Sequence, residues 1–230
     1  MQVTVLAYTA EPVKVVAMAA RLCYSSLDIE NLRCNSSAAE DQRLIEKVLA
    51  LGHESVLEHA SFSLGVEGVS RVLSHQLVRH RLASFSQQSQ RYVSFDKGFS
   101  YQVPPSIRED ESLRREYDKV MERSAEFYRH LRERKIPAED ARFVLPNAAD
   151  TRLVMTMNAR ELRHFFRLRC CRRAQWEIRA LASEILCQLR KIAFPLFHDA
   201  GPACLSGPCP EGAMSCGEVK AVRLEFGKLE

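Results

Sequence analysis

Residues 79–92 carry the side chains in this sequence that are best suited to bind a ligand. They read RHRLASFSQQSQRY, with three arginines, one histidine, three serines, three glutamines and no carboxylate. Each guanidinium presents a rigid fork of N–H donors that matches a phosphate group. Hydroxyl, amide and backbone N–H groups add donors that can surround an anion. The segment therefore predicts a site for an anionic ligand with planar polar groups; the alternative is a basic surface loop after a helix.

A second group of cationic residues lies in residues 158–169, NARELRHFFRLR. Asn158 suits an N-cap, and at about 100° per residue the predicted helix places three residues on one apolar arc: Leu162, Phe165 and Phe166. The opposite side carries Arg160, Arg163, His164 and Arg167. Arg169 returns to the centre of the apolar arc, where a buried cation must be paired. The alternative is that the helix frays before Arg169, which then lies at an exposed end.

Two shorter segments add candidates. Arg142 lies in the apolar run ARFVLP, so it needs an anionic or carbonyl partner if it is buried; otherwise it faces solvent. Residues 53–59 (HESVLEH) hold two histidines and two glutamates. A metal site there is an alternative, but histidines six residues apart face different sides of a helix. We therefore expect no metal in this segment, and local hydrogen bonds for Glu58 and His59.

These segments together resemble a family signature. Arg79, His80 and Arg81 are followed by seven residues, then by Ser89 and, two positions on, by Arg91. This order resembles the motif of the flavin-dependent thymidylate synthases, and the resemblance covers roughly residues 50–180. It implies an α/β (α+β) fold with a mainly antiparallel sheet packed with long helices. It also implies a homotetramer whose active sites draw residues from several subunits.

The reaction that the resemblance implies is the reductive methylation of dUMP to dTMP. The carbon donor is 5,10-methylenetetrahydrofolate, NADPH is the reductant, and FAD carries the hydride that passes to the uracil ring. No cysteine nucleophile is required, and residues 79–92 contain no cysteine. Two alternatives stay open: a flavoprotein that acts on another nucleotide, and a basic nucleic-acid-binding module without flavin. The few aromatic residues near the arginines count against single-strand binding.

The resemblance also implies residue roles. The residues that match the dUMP site are Gln76, Arg79, Gln87, Gln88, Ser89, Gln90, Arg91, Arg142 and Arg169. Those that match the FAD site are His53, Ser55, Arg79, His80, Arg81, Gln87, Asn158, Ala159, Arg160 and His164. Arg169 is the catalytic candidate, because a cation against the O2/N3 edge of the pyrimidine stabilises negative charge that develops on the ring. Some relatives carry Glu in place of Gln87 and Asn in place of His164, so flavin affinity or pH response is expected to differ here.

Composition and charge favour a small anionic ligand. The chain is 46% hydrophobic and 27% charged, with a net charge of +4, as is usual for a globular protein. Arginines concentrate at 71–91 and 152–179, whereas acidic residues crowd 109–126. This distribution indicates a local basic pocket rather than a continuous nucleic-acid-binding face. Without a membrane-spanning apolar run or a signal peptide, we expect a cytoplasmic protein with no membrane or nucleic-acid partner.

The 230 residues predict a single domain. We expect a catalytic domain at 1–217, which includes a loop rich in Cys, Gly and Pro at 199–217, and a C-terminal strand or tail at 218–230. The loop holds Cys204, Cys209 and Cys216, whose spacing fits no standard paired zinc pattern. Inert thiols are the default for this loop, and a metal site is the alternative.

The remaining elements follow from hydrophobic periodicity and capping signals. Strands are predicted over 2–8, 60–68, 92–95 and 151–157, and residues 84–91 are predicted as a loop. Helices are predicted over 12–24, 38–51, 71–81, 112–135 and 175–197, besides the one that follows Asn158. Ser37 and Glu40 form the expected capping box of the second helix, and Gly52 is the expected C-terminal stop of that helix. Pro195 is expected to bend or end the last helix.

Overall fold

The computed structural model describes residues 1–34 and 36–227. It contains a four-stranded antiparallel sheet in the order β1-β2-β4-β3. The strands are β1 (Gln2–Tyr8), β2 (Ser61–Ser70), β3 (Ala83–Gln87) and β4 (Asp150–Asn158). The helices are α1 (Pro12–Leu22), α2 (Ile29–Cys34), α3 (Ala38–Ala50), α4 (Arg71–Leu77), α5 (Pro105–Arg108), α6 (Glu111–Glu133), α7 (Ala138–Ala141), α8 (Ala159–Arg169), α9 (Trp176–Phe197) and α10 (Val219–Gly227). The predicted α/β fold with a mainly antiparallel sheet and long helices is confirmed.

The chain divides into two compact units, and each is assembled from separated stretches of sequence. The first unit comprises Met1–Gln2, Gly65–Arg79 and Phe85–Val154. The second unit comprises Val3–Leu64, His80–Ser84 and Met155–Glu230. Helices α4 to α7 belong to the first unit, and α1 to α3 with α8 to α10 belong to the second. The signature segment, residues 79–92, is divided between the units: His80–Ser84 belong to the second unit, and Arg79 and residues 85–92 belong to the first.

The first unit owes its local structure to clear capping signals. The Ser70 hydroxyl accepts the backbone N–H of Leu73 at 3.1 Å and begins α4. The Asp110 carboxylate accepts the N–H groups of Ser112 and Leu113 and begins α6. These caps satisfy N–H groups that have no partner inside the helix. Within α6, Met121 and Tyr128 are buried.

The second unit holds an aromatic core beneath α8. The predicted apolar arc of α8 is confirmed, because Leu162, Phe165 and Phe166 are fully buried. The Phe197 ring lies 5.5 Å from the Phe62 ring and 6.0 Å from the Phe166 ring, both in edge-on arrangements that aromatic pairs prefer. The burial of one face of α8 fixes the direction of its polar face.

Several predicted features of the second unit are confirmed. The capping box joins Ser37 and Glu40 through reciprocal hydrogen bonds, and Gly52 follows α3 with a φ of 71°, which glycine adopts without steric cost. Pro195 lies within α9, where Ala193 departs from helical geometry (φ −144°, ψ 56°). The helix is therefore bent near the proline, as expected.

Three local predictions between residues 71 and 95 are wrong. Helix α4 ends at Leu77 rather than at residue 81, since Arg79 N–H donates to the Gln76 carbonyl in a tight final turn. Residues 83–87 form β3 rather than a loop, because their exposure alternates in the two-residue period of a strand. Residues 92–95 are not a strand: Val93 N–H closes a turn onto the Ser89 carbonyl.

The C-terminal prediction is also wrong, since residues 219–227 form the helix α10 rather than a strand or tail. Val222 and Phe226 are buried and lie four residues apart, which is the spacing of one helical face. The buried guanidinium of Arg190 donates to the Phe226 carbonyl at 2.9 Å. Residues 228–230 of the predicted tail lie outside the described residues. Over the described chain, no helix combines the length and apolarity needed to cross a membrane.

Candidate active site

The first unit contains every predicted dUMP residue except Arg169. The members are Gln76, Arg79, Gln87, Gln88, Ser89, Gln90, Arg91 and Arg142. Gln87 Nε2 donates to Thr151 Oγ1 at 3.1 Å, and Gln88 N–H donates to the Arg152 carbonyl at 2.9 Å. These bonds attach the end of β3 to β4, so the following residues leave a fixed point of the sheet.

Arg91 forms an ion pair with Glu139. Its Nε donates to Glu139 Oε2 at 3.1 Å, and its Nη2 lies 3.0 Å from the same oxygen. The two side chains are 51% and 50% exposed. A pair this exposed is worth about 0–1 kcal/mol. Arg91 can therefore exchange Glu139 for a phosphate group at small cost.

Arg71 and Arg142 form a pair of neighbouring cations. Arg71 is half-buried and donates through Nη2 to the Gln88 carbonyl at 2.7 Å, whereas its buried Nε has no hydrogen-bond partner. Burial and the charge of Arg142 lower the pKa of Arg71. Arg142 is half-buried too and donates to the backbone carbonyl of Glu139 at 3.2 Å, so a carbonyl rather than a carboxylate meets its Nε. Two adjacent cations and an unsatisfied buried donor are the features expected of an anion site.

In the second unit, Asn158 and Ala159 hold the start of α8. Asn158 Oδ1 accepts the backbone N–H of Glu161 at 2.9 Å, which confirms the predicted N-cap. Ala159 N–H donates to the Ala60 carbonyl at 2.8 Å. Through these atoms both predicted flavin residues fix the helix end that presents Arg160 and His164, whose side chains are exposed.

The exposed flavin candidates differ in their partners. Arg160 donates to Glu58 Oε1 at 2.5 Å, so the local hydrogen bond predicted for Glu58 is replaced by an ion pair with α8. His53, Ser55 and Arg81 are exposed as well. An exposed imidazole, hydroxyl and guanidinium are the donors that a pyrophosphate and a flavin ring would require.

Arg169 is the last residue of α8 and is half-buried. The helix persists to this position, so the alternative that it frays earlier is wrong. Arg169 Nε donates to His80 Nε2 at 3.1 Å, and burial lowers the pKa of Arg169. A cavity of about 550 Å³ is lined by Arg169, His164, Arg167 and three cysteines, Cys171, Cys204 and Cys209. Its size is in the range of small-molecule sites.

Known proteins resemble this chain over its whole length. The family model for Thy1, the thymidylate synthase complementing protein, matches residues 4–195. A flavin-dependent thymidylate synthase of Geobacter sulfurreducens is 54% identical over 230 residues, which is 100% of this chain and 99% of that protein. The chain belongs to the flavin-dependent thymidylate synthase family. A member from Clostridium tetani is 47% identical over 96% of this chain and 95% of its own length, and one from Pyrococcus furiosus is 40% identical over 99% and 97%.

Gln87 and His164, where some relatives carry Glu and Asn, lie in different surroundings. Gln87 donates a hydrogen bond to Thr151, so its amide links β3 to β4. The His164 ring lies 6.0 Å from the His80 ring and its side chain is exposed. The His164 side chain is therefore open to a ligand, whereas the Gln87 side chain is partly engaged by Thr151.

The loop at 199–217 contains Cys204, Cys209 and Cys216. Cys204 is buried, and burial raises the pKa of its thiol, so it is a poor nucleophile at neutral pH. Among the described residues, no three His, Cys, Asp or Glu side chains are grouped to hold a metal ion.

Two residues of the site were missed by sequence reasoning, Arg71 and Glu161. Each had a signal. A cation in the first turn of a helix opposes the helix dipole, so Arg71 at the start of α4 suggests an anionic ligand. On the helical wheel of α8, Glu161 falls about 40° from Phe165, and a carboxylate beside a buried arc needs a partner.

Proposed function

We propose that this protein catalyses the reductive methylation of dUMP to dTMP. The carbon donor is 5,10-methylenetetrahydrofolate, the reductant is NADPH, and the cofactor is FAD. The observation that carries the proposal is that Arg71 and Arg142 lie in the same unit as Arg79 and residues 85–92 of the signature segment, with a buried donor of Arg71 left for an anion. Full-length similarity to named flavin-dependent thymidylate synthases supports the same reaction.

The residues of the first unit bind the nucleotide in this proposal. The phosphate is held by Ser89, Gln90, Arg91 and Arg142, together with Gln76 and Arg79, and Gln87 and Gln88 lie along the nucleotide. We add Arg71 to the phosphate group, because its buried Nε has no partner in the protein. Arg91 leaves Glu139 when phosphate arrives, since charge-assisted bidentate contacts are stronger than an exposed ion pair.

The residues of the second unit hold FAD, which carries the hydride when it is bound. His53, Ser55, Arg81, Asn158, Ala159, Arg160 and His164 serve this site, and Arg79 and Gln87 are assigned to the flavin as well. His80 serves it indirectly, because its ring is buried and both ring nitrogens are bonded within the protein. The donor set fits the cofactor, because its exposed cations match a pyrophosphate and the cavity beside His164 can take a ring system. Arg169 faces the pyrimidine O2/N3 edge and stabilises the negative charge that develops there.

We further propose a cytoplasmic homotetramer with shared active sites, no metal and no nucleic-acid partner. Residues 1–217 form the catalytic domain in this view, since the family model matches most of that range. Size-exclusion chromatography with light scattering tests the tetramer directly: a mass near four chains supports it, and a stable monomer with full activity contradicts it.

The function is tested by an anaerobic assay that contains FAD, NADPH, dUMP and methylenetetrahydrofolate, with nucleotides separated by chromatography. The expected product is dTMP, and its formation should cease when FAD is omitted from the apoprotein. A yellow protein that oxidises NADPH without forming dTMP would indicate a flavoprotein with another acceptor. A colourless protein that binds oligonucleotides in a salt-dependent manner would indicate the nucleic-acid alternative.

A further inference from the structure

A buried hydrogen-bonded chain joins Glu161, His80 and Arg169 in the second unit. His80 is 5% exposed and Glu161 is 6% exposed. His80 Nδ1 lies 3.1 Å from Glu161 Oε1, and Arg169 Nε donates to His80 Nε2 at 3.1 Å. A guanidinium N–H is always a donor, so His80 Nε2 must offer its lone pair. The ring proton of neutral His80 then lies on Nδ1, where it is donated to Glu161.

The surroundings of His80 keep its ring neutral. Its imidazole stands edge-on to the Phe165 ring at 5.0 Å, and the charged or titratable groups around it are Glu161, Arg169 and His164. Burial is the largest cause that lowers the pKa of His80; the charges of Arg169 and His164 act in the same direction, and Glu161 opposes them. Protonation of His80 at Nε2 would place a second positive charge directly against the Arg169 guanidinium.

We propose that His80 is a positioning residue, which orients the guanidinium of Arg169 by accepting its Nε–H, and that Glu161 fixes the tautomer of His80 that makes this possible. The proposal rests on the role of Arg169 at the pyrimidine edge given above. The bond occupies the Nε–H of Arg169, so this donor is engaged by the protein. The chain thus fixes the orientation of the guanidinium.

This role differs from direct flavin contact by the His80 ring. Both ring nitrogens are engaged within the protein, so neither is left to bind a cofactor. A neutral acceptor also makes the arrangement sensitive to pH. Because the pKa of His80 is lowered in the folded protein, the arrangement is complete above the ordinary histidine pKa of about 6.5. It is lost as the pH falls through the lowered value.

The test compares two substitutions at His80. His80→Phe keeps an aromatic ring but removes the acceptor, and we expect kcat for dTMP formation to fall about 10²-fold, as for a misplaced catalytic group. His80→Gln retains an amide oxygen near the position of Nε2 but cannot titrate. It should lose less than about 10-fold in kcat, and the acid limb of the wild-type kcat–pH profile should disappear.

Flavin occupancy, the KM for dUMP and thermal unfolding are measured for each variant, and His130→Gln, an exposed histidine on α6, is the matched control. The proposal is overturned if His80→Phe keeps kcat within twofold, or if His80→Gln is as impaired as His80→Phe and keeps the acid limb. Loss of flavin at unchanged kcat per bound flavin would also overturn it, since this is the signature of a cofactor contact.

A second readout does not depend on activity. Long-range ¹H–¹⁵N NMR of the apoprotein reports the protonation of each imidazole nitrogen. We expect His80 to carry its proton on Nδ1 at pH 7 and to change tautomer population in Glu161→Gln, whose amide can donate as well as accept. A proton on Nε2 at pH 7 would overturn the chain even if the enzyme is active. If wild-type protein makes no dTMP, the proposed function fails. The NMR measurement of the His80 tautomer still tests the hydrogen-bonded chain in that case.

Discussion

Arg71 and Arg142 of the first unit have different partners from Arg160 and Arg163 of the second. In the first unit, Arg71 and Arg142 meet backbone carbonyls, and a buried donor of Arg71 is left without a partner. In the second unit, Arg160 and Arg163 form ion pairs with Glu58 and with Asp199, and Arg169 is held by a histidine. A cation without an acidic partner suits an anion that arrives with its own charge, whereas an ion-paired arginine must leave its carboxylate first. In the proposed assignment, the residues of the first unit bind the phosphate, and those of the second unit bind the cofactor and the reacting ring.

The largest expected effect concerns Arg169. Arg169→Ala should lower kcat by about 10³-fold, because it removes charge stabilisation that acts at the developing anion. The dissociation constant for FAD should change little, since the exposed flavin donors remain. Stopped-flow oxidation of reduced flavin by dUMP and methylenetetrahydrofolate measures the effect. Full activity in this variant would show that Arg169 takes no part in the mechanism. It would also contradict the catalytic role that is assigned to the second unit.

Arg71→Met tests whether the first unit holds the phosphate through more residues than the sequence revealed. Losing a charge-assisted contact should weaken dUMP binding by about 10- to 100-fold. Isothermal titration of dUMP into the flavin-loaded protein gives the dissociation constant. Arg115→Met is a matched control, because Arg115 lies on α6 in the same unit with a highly exposed side chain paired to Glu111. Equal effects of the two substitutions would show a general loss of positive charge rather than a site.

The smallest effect is expected for Glu139→Gln, which removes the carboxylate that competes with phosphate for Arg91. Since the exposed pair is worth about 0–1 kcal/mol, dUMP should bind up to about fivefold more tightly. The same titration measures this effect. Weaker binding of dUMP in Glu139→Gln would mean that Glu139 orients Arg91 for the substrate instead of competing with it.

Sequence reasoning succeeded where one segment carried the whole signal. The cap at Asn158 and the apolar arc of α8 follow from residue types and helical period alone, and so does the return of Arg169 toward the buried side. The capping box at Ser37 is similarly local.

It failed where the structure depends on contacts between distant segments. The strand β3 is rich in Ser and Gln, and its pairing with β4 decides its conformation. The helix α10 depends on burial of Val222 and Phe226 and on Arg190. The burial of His80 and its bonds to Glu161 and Arg169 could not be predicted, because these partners lie 81 and 89 positions away in the sequence.

The division between the units is tested most directly by measuring both dissociation constants on the same pair of proteins. FAD is titrated into apoprotein, and dUMP into flavin-loaded protein, for Arg142→Met and Arg160→Met. We expect Arg142→Met to weaken dUMP by about tenfold or more with FAD binding nearly unchanged, and Arg160→Met to show the reverse. Equal weakening of both ligands in both variants would contradict the separate roles of the two units.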